Sequence, residues 1–165
     1  MSWSVFKAKC NVLTGNPHVT IDLFADTIAG AYHDCVSLHF DTLTGGGQLT
    51  NNQPKKPILS QQIKSFCEIN RNTTNSVELL QQIGPAMVSY WVGLIITGPV
   101  GFVTITSPGT WSHIPTPPNT NFQIILNNFM LCARTHIMTL TGIYTSTTVP
   151  GVTSPWSGAL LQSLP

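Results

Sequence analysis

Four side chains that could bind a metal ion or move a proton lie within nine residues of one another, at His33, Asp34, His39 and Asp41. The surrounding apolar periodicity predicts a helix. On a helix, residues six positions apart point about 120° away from each other, so no single face presents both histidines. The cluster therefore predicts solvated or capping side chains and no metal site.

The remaining acid, base and nucleophile candidates lack partners in the sequence. Asp22 and Asp26 share a helix face at i, i+4, but no neighbouring group is placed to tune them as a catalytic pair. His113 lies in a proline-rich segment, and His136 lies on an apolar helix face, where a buried, hydrogen-bonded role is expected. No nucleophile elbow, phosphate loop, dinucleotide fingerprint or zincin motif occurs. We expect no enzymatic activity, no cofactor, no metal ion and no catalytic residues.

The four cysteines are Cys10, Cys35, Cys67 and Cys132, and none forms a C-x-x-C pair. Three of them, Cys10, Cys35 and Cys132, fall on apolar helical stripes. They are predicted to be small buried side chains.

The composition narrows the class of protein. Only 8% of the 165 residues are charged, and the net charge is +1. Seven dispersed Lys and Arg residues do not make a nucleic-acid-binding surface, and 42% apolar residues exclude a disordered chain. Because a net charge near zero promotes association, the composition favours a subunit that is largely covered by partners.

Hydrophobic periodicity predicts a mainly α fold, a small helical bundle with minor β structure. The helical domain is predicted to cover residues 1–142. The first expected helix carries the apolar stripe Trp3, Phe6, Cys10 and Leu13. The other expected helices cover Ile21–Asp41, Leu59–Asn70, Asn75 or Ser76 to Gly98 with a break at Pro85, and Phe122–Leu140. The last helix is expected to be buried on most sides, since Ile124, Leu131, Ile137 and Met138 widen its stripe.

Two extended segments are predicted besides the helices. Five prolines between residues 98 and 119 predict a stiff extended loop, with one short strand at Val100–Thr106. Residues 143–165 are predicted to be an extended C-terminal arm. It could dock on its own helical domain or on a neighbouring subunit, and the neighbour is favoured for at least part of it. Its removal from residue 150 onward is expected to leave the helical domain folded. The candidate interface anchors in these segments are Trp111, Tyr144, Trp156, Leu160 and Leu161.

Residues 86–106 carry no charge and could span a bilayer by length alone. Gly98-Pro99 interrupts this stretch, and no Lys or Arg closely flanks it. The N-terminus lacks the pattern of a secretory signal. No membrane association is expected, and a small membrane protein using residues 86–106 remains an alternative.

Six short motifs resemble small virion structural proteins of tailed bacteriophages, above all those of marine phages with contractile tails. The motifs are Trp3-x-x-Phe6-Lys7, Ile28-Ala29-x-x-Tyr32, Tyr90-Trp91-x-Gly93, Pro108-Gly-x-Trp111, His136-x-x-Thr139-x-x-Gly142 and Pro155-Trp156-x-Gly158. The resemblance implies a structural subunit of the virion that is assembled in the host cytoplasm. The resemblance does not indicate where in the particle the subunit sits. We expect the tail, baseplate or neck, with capsid decoration as an alternative. Its implied partners are other virion proteins and copies of itself.

Overall fold

The computed structural model describes residues 2–41, 47–50, 54–70, 82–114 and 121–162. These residues form a mixed α and β fold, so the prediction of a mainly α bundle is wrong. The helices are α1 (Trp3–Cys10), α2 (Ile21–Ser37), α3 (Lys55–Ile69), α4 (Gly84–Trp91) and α5 (Phe122–Met138). The strands are β1 (Leu38–Asp41), β2 (Gly47–Thr50), β3 (Ile95–Gly98), β4 (Gly101–Ser107), β5 (Thr141–Ser146), β6 (Thr153–Ser157) and β7 (Leu161–Gln162).

The seven strands form one antiparallel sheet in the order β6-β5-β4-β3-β2-β1-β7. Its two terminal strands, β6 and β7, are joined by a single 3-10 turn at Gly158–Leu160. That connection spans at most about 14 Å. In a flat sheet the same strands would stand about 29 Å apart, at ~4.8 Å per strand. The sheet must therefore curl, and its two ends approach each other around the core.

The first and the last of the predicted helices are both present, as α1 and α5. The α1 stripe, from Trp3 to Leu13, is buried. Helix α5 begins where Asn121 caps it, since Asn121 Oδ1 accepts a hydrogen bond of 3.0 Å from Ile124 N. The expectation that α5 is buried on most sides is wrong, because Leu131 and Met138 are exposed by half or more.

Two helices end earlier than the sequence predicts. Helix α2 ends at Ser37, and the next four residues form β1 rather than a last helical turn. Helix α4 ends at Trp91, where Gly93 adopts φ +70° and so supplies the left-handed residue that stops a helix. Pro85 occupies the first turn of α4, where its missing N–H costs nothing. The predicted start of this helix at Asn75 or Ser76 lies outside the described residues.

The C-terminal segment is not a free arm. Strand β5 pairs with β4, β6 pairs with β5, and β7 pairs with β1, all within the same chain. The strand predicted at Val100–Thr106 is present as β4. After β4, residues 108–114 form neither helix nor strand, as expected for the proline-rich loop. The remaining residues of the predicted loop, 115–119, lie outside the described part.

Candidate assembly surfaces

His33, one of the two histidines of the first candidate cluster, belongs to a buried polar network between α2 and α4. His33 Nδ1 and Tyr90 Oη share a hydrogen bond of 3.0 Å, and Trp91 Nε1 donates to Tyr32 Oη at 2.8 Å. Burial lowers the pKa of His33, Lys56 lowers it further, and Asp34 opposes the shift. The sequence predicts His39 on the same helix as His33, but in the structure His39 lies on β1. The network explains His33 as a packing residue.

The second buried histidine holds the loop that follows β4 against α5. His136 is fully buried, and its Nε2 donates to the Pro108 carbonyl oxygen at 2.7 Å. The Trp111 ring lies 5.7 Å from the imidazole and 5.6 Å from Phe129, centroid to centroid. Burial lowers the pKa of His136. This residue, too, is positioned for packing.

The two acidic residues early in α2 connect this helix to α3. Asp22 forms an ion pair of 2.5 Å with Lys64, and Ser60 donates to Asp26 at 2.5 Å. The ion pair raises the pKa of Lys64. A groove of about 340 Å³ between the helices is lined by Asp26, Ala29, Lys56, Pro57 and Ser60. In the described part of the chain no three metal-ligating side chains converge, in this groove or elsewhere.

The four cysteines are all buried and unbridged. Burial raises the pKa of the Cys10 and Cys35 thiols to about 12 and that of Cys67 to about 11. The thiol form therefore dominates at neutral pH, and these side chains act as small apolar groups.

The five predicted interface anchors pack within the chain itself. Trp156, 3% exposed, and Leu161 belong to the hydrophobic core. Tyr144 is also buried, and its hydroxyl donates to the Val100 carbonyl at 3.0 Å. Trp111 and Leu160 are half-buried against the same core. Their apolar surface joins the sheet and the loop to the helices. A surface that contacts a partner must therefore lie elsewhere on the molecule.

The first such surface is the outer face of the sheet, on the side opposite the core. Strand register aligns two rows of side chains there, which we call the outer sheet face. The rows are Ile95–Thr104–Ile143–Pro155 and Thr97–Phe102–Thr145–Thr153. Ile143 is 47% exposed, and neither row contains a charged residue.

The edge of the sheet beside this face is poorly suited to pairing with a further strand. Ser146 N donates to Val152 O, and Gly158 N donates to Leu140 O. This register turns the backbone groups of Thr153, Pro155 and Ser157 toward the free side of β6, with which no strand pairs in the described part of the chain. Proline at the middle position removes a donor there, as proteins do to prevent edge pairing.

The second surface is the solvent side of α5. Ile124, Leu131 and Met138 recur every seven residues and are 46%, 50% and 60% exposed. Residues seven apart fall within about 20° of one another on a helix, so the three side chains form one line, which we call the α5 stripe. Three aligned, exposed apolar side chains make this helix face a candidate surface for contact with a partner.

The sequence does contain a signal for both surfaces that periodicity does not detect. After Glu78 the chain carries a single charged residue, Arg134. Helices α1, α2 and α3 hold nearly all of the charged residues in the described part of the chain, whereas β2–β6 hold none and α5 holds Arg134 alone. This segregation marks the second half of the molecule as the half that presents uncharged surface.

None of the helices formed by the described residues is both long enough and apolar enough to cross a membrane. Residues 86–106, the alternative span, instead form most of α4 together with β3 and most of β4.

No protein-family model, curated protein or solved structure matches this chain.

Proposed function

We propose that this chain is a structural, non-catalytic subunit of a tailed-phage particle, built into the tail, baseplate or neck. The observation that carries the proposal is the outer sheet face, together with the likeness of the sequence motifs to small virion proteins. An exposed, uncharged face with Ile143 and Phe102 in its two rows is poorly suited to permanent contact with water.

The neighbour that fits this face is a virion protein with an equally uncharged, broad surface. Threonine hydroxyls on the face supply hydrogen bonds, while Ile143, Phe102 and Pro155 supply apolar area. A charged partner would lose its hydration there without gaining a counter-ion. Contact is made face to face, as between two packed sheets, because Pro155 removes a hydrogen-bond donor from the β6 edge and so disfavours strand addition there.

The test combines particle composition with a charge placed on this face. Mass spectrometry of purified particles should detect the chain at a fixed copy number, with a small multiple of the tail symmetry expected. A copy number in the hundreds would instead identify a capsid decoration protein. Absence of the chain from purified particles would exclude any virion role.

The matched variants are Thr104→Lys, in the middle of the outer sheet face, and Gln61→Lys, on the exposed side of α3. Both add one lysine to an exposed position, so both should fold. In particles complemented with each variant, we expect Thr104→Lys to be incorporated at least ~10-fold less, which corresponds to about 1.4 kcal/mol of lost contact free energy. Equal incorporation of both variants would show that this face is not the docking surface.

A further inference from the structure

We infer that residues 108–114, which follow β4, form a strap that acid releases: protonation of His136 detaches the strap from α5 while the rest of the fold stays closed. The inference goes beyond the proposed function and does not rest on it. Three features support it: the attachment of the strap, the bonding of the His136 ring and the lack of acidic residues around that ring.

The strap is attached to α5 through side chains of the helix. His136 Nε2 donates to the Pro108 carbonyl oxygen at 2.7 Å, and Thr110 N donates to Thr139 Oγ1 at 2.9 Å. The Trp111 ring packs on His136, with 5.7 Å between the ring centroids. No backbone–backbone hydrogen bond joins the strap to another segment of the described chain. A segment held in this way opens at a lower free energy than the helices and strands around it.

His136 is the central attachment, because it holds the strap by a hydrogen bond and by ring packing together. Its side chain is fully buried. Since a carbonyl oxygen only accepts, Nε2 carries the proton of the neutral ring and Nδ1 is an unprotonated acceptor. That Nδ1 is buried with no hydrogen-bond partner among the described residues. Protonation therefore creates a second N–H without an acceptor and a buried positive charge, and both costs disappear when the ring reaches water.

The elements around His136 hold no carboxylate that could stabilise the charged ring, since neither the strap, α5, α4 nor the 3-10 turn after β6 contains Asp or Glu. Helix α5 carries Arg134, which is exposed and positive, and Cys132, whose pKa burial raises so that the thiol is neutral. The titratable group of the strap is His113, which is exposed, and that of α4 is Tyr90. The 3-10 turn has no titratable side chain. A proton on His136 thus gains no counter-ion while the strap is closed.

The direction of the pH effect follows from these costs. With the strap closed, burial lowers the pKa of His136 below its usual value of 6.5, and the Pro108 carbonyl offsets only part of that shift. With the strap open, the ring is in water and regains a pKa of about 6.5. The stability of the closed strap is therefore fully present above that pH and is lost as the pH falls toward the closed-state pKa. One proton raises the open population by at most ~30-fold between pH 7.5 and pH 5.

Opening of the strap uncovers a part of α5 that is hidden at neutral pH. The Trp111 ring lies 5.6 Å from that of Phe129, which is 3% exposed. The Ile114 backbone contributes a hydrogen bond to the sulfur of Cys132, which is also buried. Acidification therefore exposes an apolar strip and a thiol, and the thiol provides a readout.

Thiol labelling of the full-length chain at pH 7.5 and pH 5 tests the inference. Dithiodipyridine is the probe, because it reacts with thiols at both pH values, and peptide mass spectrometry gives the labelling rate at each cysteine. Cys10, Cys35 and Cys67 are internal controls, since they are buried on α1, α2 and α3, outside the region that the strap covers. We expect the labelling rate of Cys132, relative to these three, to rise by ~3- to 30-fold at pH 5.

Two histidine variants identify the group that titrates. His136→Gln keeps an amide donor for the Pro108 carbonyl but cannot be protonated, so the relative labelling of Cys132 should no longer depend on pH. Burial lowers the pKa of His113 as well, but its side chain is exposed and changes its surroundings little when the strap opens. His113→Gln should therefore keep the wild-type response. Loss of the response in His113→Gln and its retention in His136→Gln would overturn the assignment.

The wild-type chain alone can also overturn the inference. An equal rise in labelling at all four cysteines would mean that acid unfolds the whole chain, and an unchanged ratio would mean that no strap is released. Hydrogen exchange, corrected for the intrinsic effect of pH, provides the test if His136→Gln fails to fold. The Thr110 amide, bonded to Thr139, should lose protection at pH 5, whereas the Ile105 amide, bonded to the Leu94 carbonyl, should keep it. Retained protection at Thr110 would reject the strap.

Discussion

His136 shows how one buried side chain makes the fold sensitive to acid. The neutral ring donates from Nε2 to the Pro108 carbonyl, and its Nδ1 is buried with no hydrogen-bond partner among the described residues. Protonation would place a second N–H and a positive charge in that position. Burial therefore lowers the pKa of His136 below its usual value of 6.5, and burial lowers the pKa of His33 as well.

From this shift we predict that the free energy of unfolding falls as the pH is lowered from 7 toward 5. The unfolded chain takes up protons on these histidines at about pH 6.5, whereas the folded chain resists them. Stability is thus fully present above the unfolded pKa and is lost as the pH falls toward the folded pKa. Thermal melts at a series of pH values measure the effect.

His136→Gln is the informative variant, because a glutamine amide can still donate toward Pro108 but cannot be protonated. Part of the acid-induced loss of melting temperature should disappear in it. The wild-type chain, measured over the same pH series, is the reference for this comparison. An identical acid response of wild type and His136→Gln would refute the role given to His136.

At the scale of elements, sequence periodicity located helices well and their ends poorly. The α1 stripe from Trp3 to Leu13 and the Asn121 cap of α5 were predictable because local spacing and capping chemistry determine them. The sequence predicts helix α2 through Asp41 because Leu38 continues its apolar stripe. It predicts helix α4 through Gly98 because an apolar run continues past Trp91. A short apolar run fits a buried strand equally well, and pairing with distant strands decides between the two.

Glycines at two helix positions provide an element-scale prediction. A Cβ at Gly84, in the first turn of α4, would overlap the Trp111 indole, which is itself packed on Phe129 and His136. A Cβ at Gly30, within α2, would meet only the Lys56 side chain at 3.5 Å, an ordinary contact. We expect Gly84→Ala to destabilise by about 1–3 kcal/mol through overpacking. Gly30→Ala should stabilise by about 0.5–1 kcal/mol through helix propensity.

Chemical denaturation of the two variants measures both effects, and tryptophan fluorescence reports whether the Trp111 ring moves. The pair is matched, since each variant adds one methyl group to a helical glycine. Stabilisation by Gly84→Ala would mean that the loop after β4 is not packed on α4 as described.

At the scale of the whole molecule, the antiparallel sheet was the part that local reasoning could not supply. Its last strands come from residues rich in Thr, Ser and Pro, such as 141–146 and 153–157, which resemble an arm when considered alone. They become strands because Tyr144 and Trp156 have a core to enter, and that core is built by helices distant in sequence. The outer surfaces cannot be identified from the sequence alone, for a related reason. The stripe at Ile124, Leu131 and Met138 can be distinguished from a buried face only when the helix packing is known.

The structure changes what is expected when the C-terminal residues are removed. Trp156 is buried in the core, and Gly158 lies against the Ile137 carbonyl so closely that no side chain would fit. Trp156→Ala alone should cost about 3–5 kcal/mol. That is a large part of the ~5–15 kcal/mol that stabilises a typical domain. We therefore expect Trp156→Ala to lower the melting temperature strongly while the chain still folds.

Deletion of residues 150–165 removes Trp156 together with β6 and β7, the two terminal strands of the sheet. It also exposes the paired edges of β5 and β1 and uncovers the core beneath them. We expect the truncated chain to lose cooperative unfolding, which thermal melts and hydrogen exchange would show. Removal of residues 163–165 alone is the control, since it leaves β7 complete. A cooperatively folded chain without residues 150–165 would instead support an arm that docks only on a neighbour, and would contradict the pairing of β6 and β7 with the rest of the sheet.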